Sequence, residues 1–277
     1  MKKILIPVDF SEHSEYALKT AAKLAKKHNT SLVVLHMLGL SEAVLTKQES
    51  QAMPQAIFYM KLAERHFNEF LDKEYLKGIE IETTVKNYKH FQEVNDVAKD
   101  FNADLIVMGS HGASGLKEVF VGSNTEKVVR TASIPVLVVK NHFEDFEIGK
   151  VVFACDFDLD FIEPFKNAWN FFQKLGATFQ VVFINTPDGF LSHQEMEERA
   201  LKFMIKSGID NTDVFDNIVY YCDYKLEHGI YSFCNKHEAD LVVIPTHGRR
   251  GLAHYFSENI GEAIVNHSNY PIMTFKV

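Results

Sequence analysis

The segment Ala103-Asp-Leu-Ile-Val-Met-Gly-Ser-His-Gly112 returns as Ala239-Asp-Leu-Val-Val-Ile-Pro-Thr-His-Gly248, 136 residues further on. The opening Lys3-Ile-Leu-Ile-Pro-Val-Asp-Phe10 likewise returns as Lys150-Val-Val-Phe-Ala-Cys-Asp-Phe157, at a spacing of 147. A chain of 277 residues that repeats itself in this way is expected to be two copies of one compact domain rather than a single large one. The expected bounds are 1–143 and 147–277, joined through the short acidic stretch Asn141–Gly149. The spacing is still 147 at Ser31 and Thr178 but 136 at Ile79 and Phe215, so the first copy carries 11 extra residues (147 − 136) between its second and third strands. Leu38 to about Pro54 is therefore read as an insertion, a mobile loop or lid.

Within the first copy, short apolar runs at 3–8, 31–37, 79–86, 104–108 and 135–140 alternate with segments of helical period at 13–28, 55–76, 91–101 and 123–132. Leu105-Ile-Val-Met108 and Pro135-Val-Leu-Val-Val139 are apolar at successive positions, as strands buried on both faces must be. The expectation is α/β: two tandem doubly wound parallel sheets of Rossmann-like type. Ligands of such sheets sit at the carboxyl ends of the strands, near the point where strand order reverses. Asp9, Met37 and Gly109 all follow strand ends and are expected to converge there.

The formal charge of -8, with no Lys/Arg-rich run, offers no electrostatic footprint for nucleic acid or an anionic membrane, so neither is an expected partner. No window approaches the roughly 18 apolar residues needed to span a bilayer. The apolar run at the N-terminus is too short for a signal peptide, so the expected location is cytoplasmic. Cys155, Cys222 and Cys234 are odd in number and far apart, implying neither a disulfide framework nor a metal site. The aromatic group Phe161, Phe165, Trp169, Phe171 and Phe172 could line an apolar pocket, but its spacings of three to four read rather as the buried face of a helix.

The strongest chemical signal is Gly109-Ser-His-Gly112, then nine residues, then Gly122-Ser-Asn-Thr-Glu126, with a strand before and a helix after. Glycines permit positive φ and close approach of a bulky anion. Free N–H groups and the dipole at a helix start favour negative charge, so this pattern points to phosphate, with the hydroxyls of Ser123 and Thr125 as further donors. On residue chemistry alone a plain turn followed by a capping box from Ser123 to Glu126 fits as well. Asp9 has the same double reading, ligand contact or helix cap beside Ser11. His111 recurs as His247 even where the glycines change, which favours a shared turn role over catalysis.

The spacing G-x-x-G-x9-G-S, entered from Met108-Gly109 and followed by Thr125-Glu126 and the run 135–139, resembles the ATP-binding signature of the universal stress protein family, as does Pro7-Val-Asp-Phe-Ser11. The likeness spans both copies and implies a tandem member of that family, similar in fold to the adenine-nucleotide alpha-hydrolase-like group. It implies ATP with adenine near the Met37 backbone, ribose near Asp9, and phosphates across Gly109, Gly112, Gly122 and Ser123. Pro7, Val8, Met108, His111, Asn124 and Thr125 would complete the lining. Magnesium would be held mainly by the phosphates, since no dedicated carboxylate cage is visible. Family members commonly pair through their last strands, which implies an internal pseudo-dimer of the copies through 135–140 and 271–276, and a homodimer of whole chains is compatible with it.

The second copy departs where the chemistry lies: Gly109, Gly122 and Ser123 correspond to Pro245, Glu258 and Asn259. A proline has no N–H to offer. A carboxylate about 4 Å from a phosphate charge costs roughly 4 kcal/mol at an effective dielectric near 20. The second copy is thus expected to be a pseudo-site. The implied function is a stress-response regulator that binds ATP in its first domain and presents different surfaces to a protein partner. A slow ATPase or nucleotide-transferring enzyme is the competing reading, but only His111 and Glu118 could serve such chemistry within 109–130, so no catalytic residue is assigned. The third is a scaffold that binds no nucleotide, or a small-ligand-binding protein in which the loop 38–60 or the second domain holds a different ligand.

Overall fold

The computed structural model describes residues 1–38, 49–87, 92–110, 123–141, 146–209, 212–246 and 270–276. Described residues up to Asn141 form one compact unit and those from Phe146 onward a second. In the first unit the order is β1 (Lys3–Val8), α1 (Glu12–His28), β2 (Ser31–Leu38), α2 (Glu49–Leu71), a 3-10 turn (Glu74–Leu76), β3 (Ile81–Asn87), α3 (Gln92–Asp100), β4 (Leu105–Gly109), α4 (Ser123–Thr131) and β5 (Val136–Val139). The strands pair in parallel in the order β3-β2-β1-β4-β5, so strand order reverses between β1 and β4.

The second unit repeats this plan with β6 (Lys150–Ala154), α5 (Ile162–Leu175), β7 (Thr178–Asn185), α6 (His193–Ser207), α7 (Thr212–Asp216), β8 (Val219–Cys222), α8 (Leu226–His237), β9 (Leu241–Thr246) and β10 (Ile272–Lys276). Its parallel order is β8-β7-β6-β9-β10, with the reversal between β6 and β9. Every residue of β4 and β5 is buried, which explains why these strands read as unbroken apolar runs.

α1 forms because Ser11 caps its N-terminus, Glu12 and Glu15 sit in its first turn, and Lys26, Lys27 and His28 in its last. Its buried stripe of Ala17, Ala21, Ala22 and Ala25 lets the helix lie close on the sheet. Asn29 closes it in the left-handed conformation, at φ 51°.

One repeated device joins the strands. The Asp104 carboxylate accepts from the backbone N–H groups of Lys2 and Lys3, and Asp240 accepts from those of Gly149 and Lys150, the latter at 2.6 Å. In both copies the acid just before the fourth strand therefore clamps the start of the first.

Two expectations change. The period read as one helix over 55–76 is α2 at 49–71 followed by a separate turn at 74–76 that buries Leu76; a helical period runs on unchanged through such a break. α2 also starts inside the stretch read as insertion and carries Pro54 in its second turn, where one N–H is lost without ending the helix. The remainder of the expected lid, 39–48, lies outside the described residues. The aromatic group at α5 is core in part: Phe161, in the turn just before α5, and Phe165 and Phe172 within it are fully buried, with Phe165 packed at 5.4 Å from Phe153 and 5.2 Å from Phe203, whereas Trp169 and Phe171 are only partly buried.

Candidate nucleotide site

The carboxyl ends of β1, β2 and β4 bring the candidate residues to one edge of the first unit. Pro7 and Val8 end β1, Met37 is the penultimate residue of β2, and Met108 and Gly109 end β4. Val8 pairs with His36 across β1 and β2, and continuing the Leu5–Ile106 register brings Gly109 level with Val8. α4 begins at Ser123 beside this edge, because the Thr125 hydroxyl donates to the Gly109 carbonyl at 2.8 Å. His111, Gly112 and Gly122 lie outside the described residues.

Asp9 is built into a knot between β1 and α1. Its Oδ1 accepts from the Ser11 N–H at 3.1 Å and the Ser14 hydroxyl at 2.7 Å, while its own N–H donates to Ser14 Oγ at 3.1 Å. The cap of α1 is Ser11, and Asp9 instead forms the turn that leads into it. The carboxylate is thereby oriented at the strand exit.

Gly109 is a glycine for a packing reason. Its φ is not positive, and a Cβ there would lie 2.7 Å from the His13 carbonyl oxygen and 2.8 Å from its carbon. The close approach served by this glycine is that of α1 to β4, and the positive φ expected of it is not found. Thr125 also differs from expectation: it is 3% exposed and its hydroxyl hydrogen is committed to Gly109, so it fixes α4 against β4 rather than facing outward as a donor. Asn124, beside it, is exposed.

An aromatic cluster that no local sequence pattern announces walls the β1–β2 end of this edge. Phe10 takes the left-handed conformation, φ 63°, which a bulky residue adopts only when its surroundings impose it. Its ring lies 4.5 Å from His36, 5.1 Å from His66, 5.4 Å from Phe67 and 5.5 Å from Phe70. His36 Nδ1 lies 2.9 Å from the Val8 carbonyl, and since a carbonyl only accepts, Nδ1 carries the proton. Burial holds the His36 pKa below the ordinary imidazole value, against the opposing pull of the Val8 bond and the Asp9 charge; His66 adds a small push downward. The repeat held the signal, because Phe157 follows Asp156 as Phe10 follows Asp9, and Phe157 also sits at φ 59°.

The second unit keeps the turn and changes its surroundings. Asp156 Oδ1 accepts from the Asp158 N–H at 2.9 Å, but Arg199 of α6 stands 3.9 Å from the other carboxylate oxygen. Phe183 occupies the place of His36 and stacks on Phe157 at 5.9 Å. Pro245 sits in β9 where Gly109 ends β4; it is tolerated because pairing with β6 ends at Val243 while β10 pairs on through Thr246. Glu258 and Asn259 lie outside the described residues.

A model of the universal stress protein family matches residues 1–140 and 216–276. The chain belongs to the universal stress protein family. A universal stress protein of Methanocaldococcus jannaschii is 32% identical over 155 residues, covering 50% of this chain and 94% of that protein. One from Bacillus subtilis is 33% identical over 147 residues, covering 50% of this chain and 98% of that protein. Each such relative is thus about half as long as this universal stress protein. A solved universal stress protein from Archaeoglobus fulgidus covers 99% of this chain and 96% of its own at 18% identity, with a TM-score of 0.63, a likeness of fold alone. No helix among the described residues is long and apolar enough to cross a membrane.

Proposed function

We propose that this universal stress protein is a cytoplasmic, nucleotide-responsive regulator that binds one ATP, with magnesium, in its N-terminal unit. The observation that carries the reading is the junction at the strand-order reversal: β1 and β4 are the neighbouring strands on either side of it, and α4 starts at the end of β4, tied by Thr125 to Gly109. A helix start beside a strand exit offers N–H groups and the positive end of a dipole to an anion. The phosphates would lie across Gly109, Gly112, Gly122 and Ser123, the ribose at Asp9, and the adenine against the Met37 backbone. Asp9 suits a sugar hydroxyl because the Ser11 and Ser14 donors hold its carboxylate in one orientation.

The C-terminal unit is the pseudo-site in this reading. Its Asp156 is faced by the Arg199 guanidinium, and Pro245 has no N–H where Gly109 has one. One nucleotide per chain would let the two units divide labour, the first sensing ATP and the second offering a constant surface to a protein partner.

Titration of a fluorescent ATP analogue into the wild type and into Gly122→Glu, which copies Glu258 into the first unit, tests the reading. Saturable binding, weakened by about three decades in the variant, is expected from a repulsion of roughly 4 kcal/mol. Equal binding by the two proteins would overturn the phosphate assignment, and turnover well above about one per minute would favour the enzyme reading.

A further inference from the structure

We infer that His36 is a positioning residue for the nucleoside end of the site, holding the exit of β1 through the bond from its Nδ1–H to the Val8 carbonyl. The assignment rests on the nucleotide reading above and adds to it a residue that touches no phosphate.

β1 has a side-chain anchor at this point, in addition to its ladder with β2. Its pairing with β4 covers Ile4 and Leu5, whereas its pairing with β2 runs on to Val8. The last residues before Asp9 are thus supported mainly from the β2 side, and His36 is the β2 residue paired with Val8. Its imidazole reaches the Val8 carbonyl at 2.9 Å, one residue before the carboxylate assigned to the ribose. The same ring is the nearest of the four that brace Phe10, at 4.5 Å. One side chain therefore supports both flanks of Asp9: the carbonyl before it and the left-handed residue after it.

The second copy separates the two tasks. Phe157 holds the same left-handed conformation as Phe10, and Phe183 in place of His36 stacks on it with the rings 7° from parallel. A phenylalanine is thus sufficient to brace the left-handed aromatic, so packing alone does not require a histidine. A phenyl ring has no donor for the residue that corresponds to Val8, which is Cys155, and there the sulfur accepts instead from the Phe157 N–H at 3.2 Å. A side-chain donor aimed at the strand-exit carbonyl is what His36 supplies in the first copy and Phe183 cannot supply in the second, and the first copy is the one that keeps Gly109, Gly122 and Ser123.

The experiment uses the full chain as wild type, His36→Phe and His36→Asn. His36→Phe copies the packing of the second unit and removes the donor together with the titratable ring, while His36→Asn restores a short amide donor. Displacement of a fluorescent ATP analogue gives the affinities for ATP, for adenosine and for inorganic triphosphate, and thermal melts check the fold. His36→Phe is expected to weaken adenosine and ATP by the same factor, about three- to tenfold for one lost hydrogen bond, with triphosphate unchanged. His36→Asn should recover most of the loss. Unchanged adenosine affinity in His36→Phe would overturn the assignment, and so would an equal weakening of adenosine and triphosphate, which marks general loosening. A wild type that binds none of the three would overturn the nucleotide reading itself and this assignment with it.

Discussion

Gly109→Ala adds one methyl group at the point where β4 meets α1. The new Cβ would lie 2.7, 2.8 and 2.9 Å from the oxygen, carbonyl carbon and Cβ of His13. Two of these atoms are backbone in the first turn of α1, so no side-chain rotation relieves the overlap. The helix end must move, and Ser14, which holds Asp9, moves with it. Overpacking of this kind costs about 1–3 kcal/mol. For a unit of this size that lowers the melting temperature by roughly 3–12 °C. Gly189→Ala is the control, since a Cβ there has nothing within 4 Å and its φ is not positive, and it should stay within about 0.5 kcal/mol of wild type. Far-UV circular dichroism melts of the two variants without nucleotide decide the matter. If Gly109→Ala melts with the control, the close approach is not a constraint and the glycine is there for another reason.

Three further outcomes follow from the same geometry. Asp104→Ala leaves the N–H groups of Lys2 and Lys3 without their shared carboxylate and should cost about 1–3 kcal/mol by urea denaturation, with Asp240→Ala comparable; a loss below about 0.5 kcal/mol in both would dismiss the clamp. In the native protein a thiol reagent should label Cys222 alone, because burial pushes the Cys155 thiol up and the Cys234 thiol to about 12; rapid labelling of three cysteines would contradict this. Because burial lowers the His36 pKa in the folded chain, the unfolded chain binds the proton more readily. Its contribution to stability is complete above the unfolded value of about 6.5 and is lost as pH falls through the lower folded value. The stability of His36→Phe should therefore depend less on pH below about 6.5 than that of wild type, and parallel profiles would refute the cause.

Much of the fold was legible because buried parallel strands announce themselves as unbroken apolar runs, and β1 falls at 3–8 as expected. The repeat supplied the second unit nearly free of charge, down to the paired openings at Lys3 and Lys150. The boundaries of α2 were not legible, because a helical period does not register a short break after Leu71 and a proline was read as a loop residue. Within the site, strand ends located Asp9, Met37 and Gly109, since the topology sends all three to one edge. What each does was less visible. The glycine at 109 depends on α1, separated from β4 in the chain by β2 and β3, and the hydroxyl of Thr125 turns inward to Gly109, contacts between distant segments that no local pattern encodes. The roles of Phe10 and His36 were not legible, because a ring at a strand end or within a strand reads as core, and only the φ of 63° at Phe10 shows how constrained that residue is.

The number of nucleotides bound per chain tests the account most directly. Isothermal titration of ATP with magnesium into the nucleotide-free full chain should give one site. Two sites would contradict the reading of Asp156, Arg199 and Pro245 as a pseudo-site, and none would contradict the assignment of ATP to the edge formed by β1, β2 and β4.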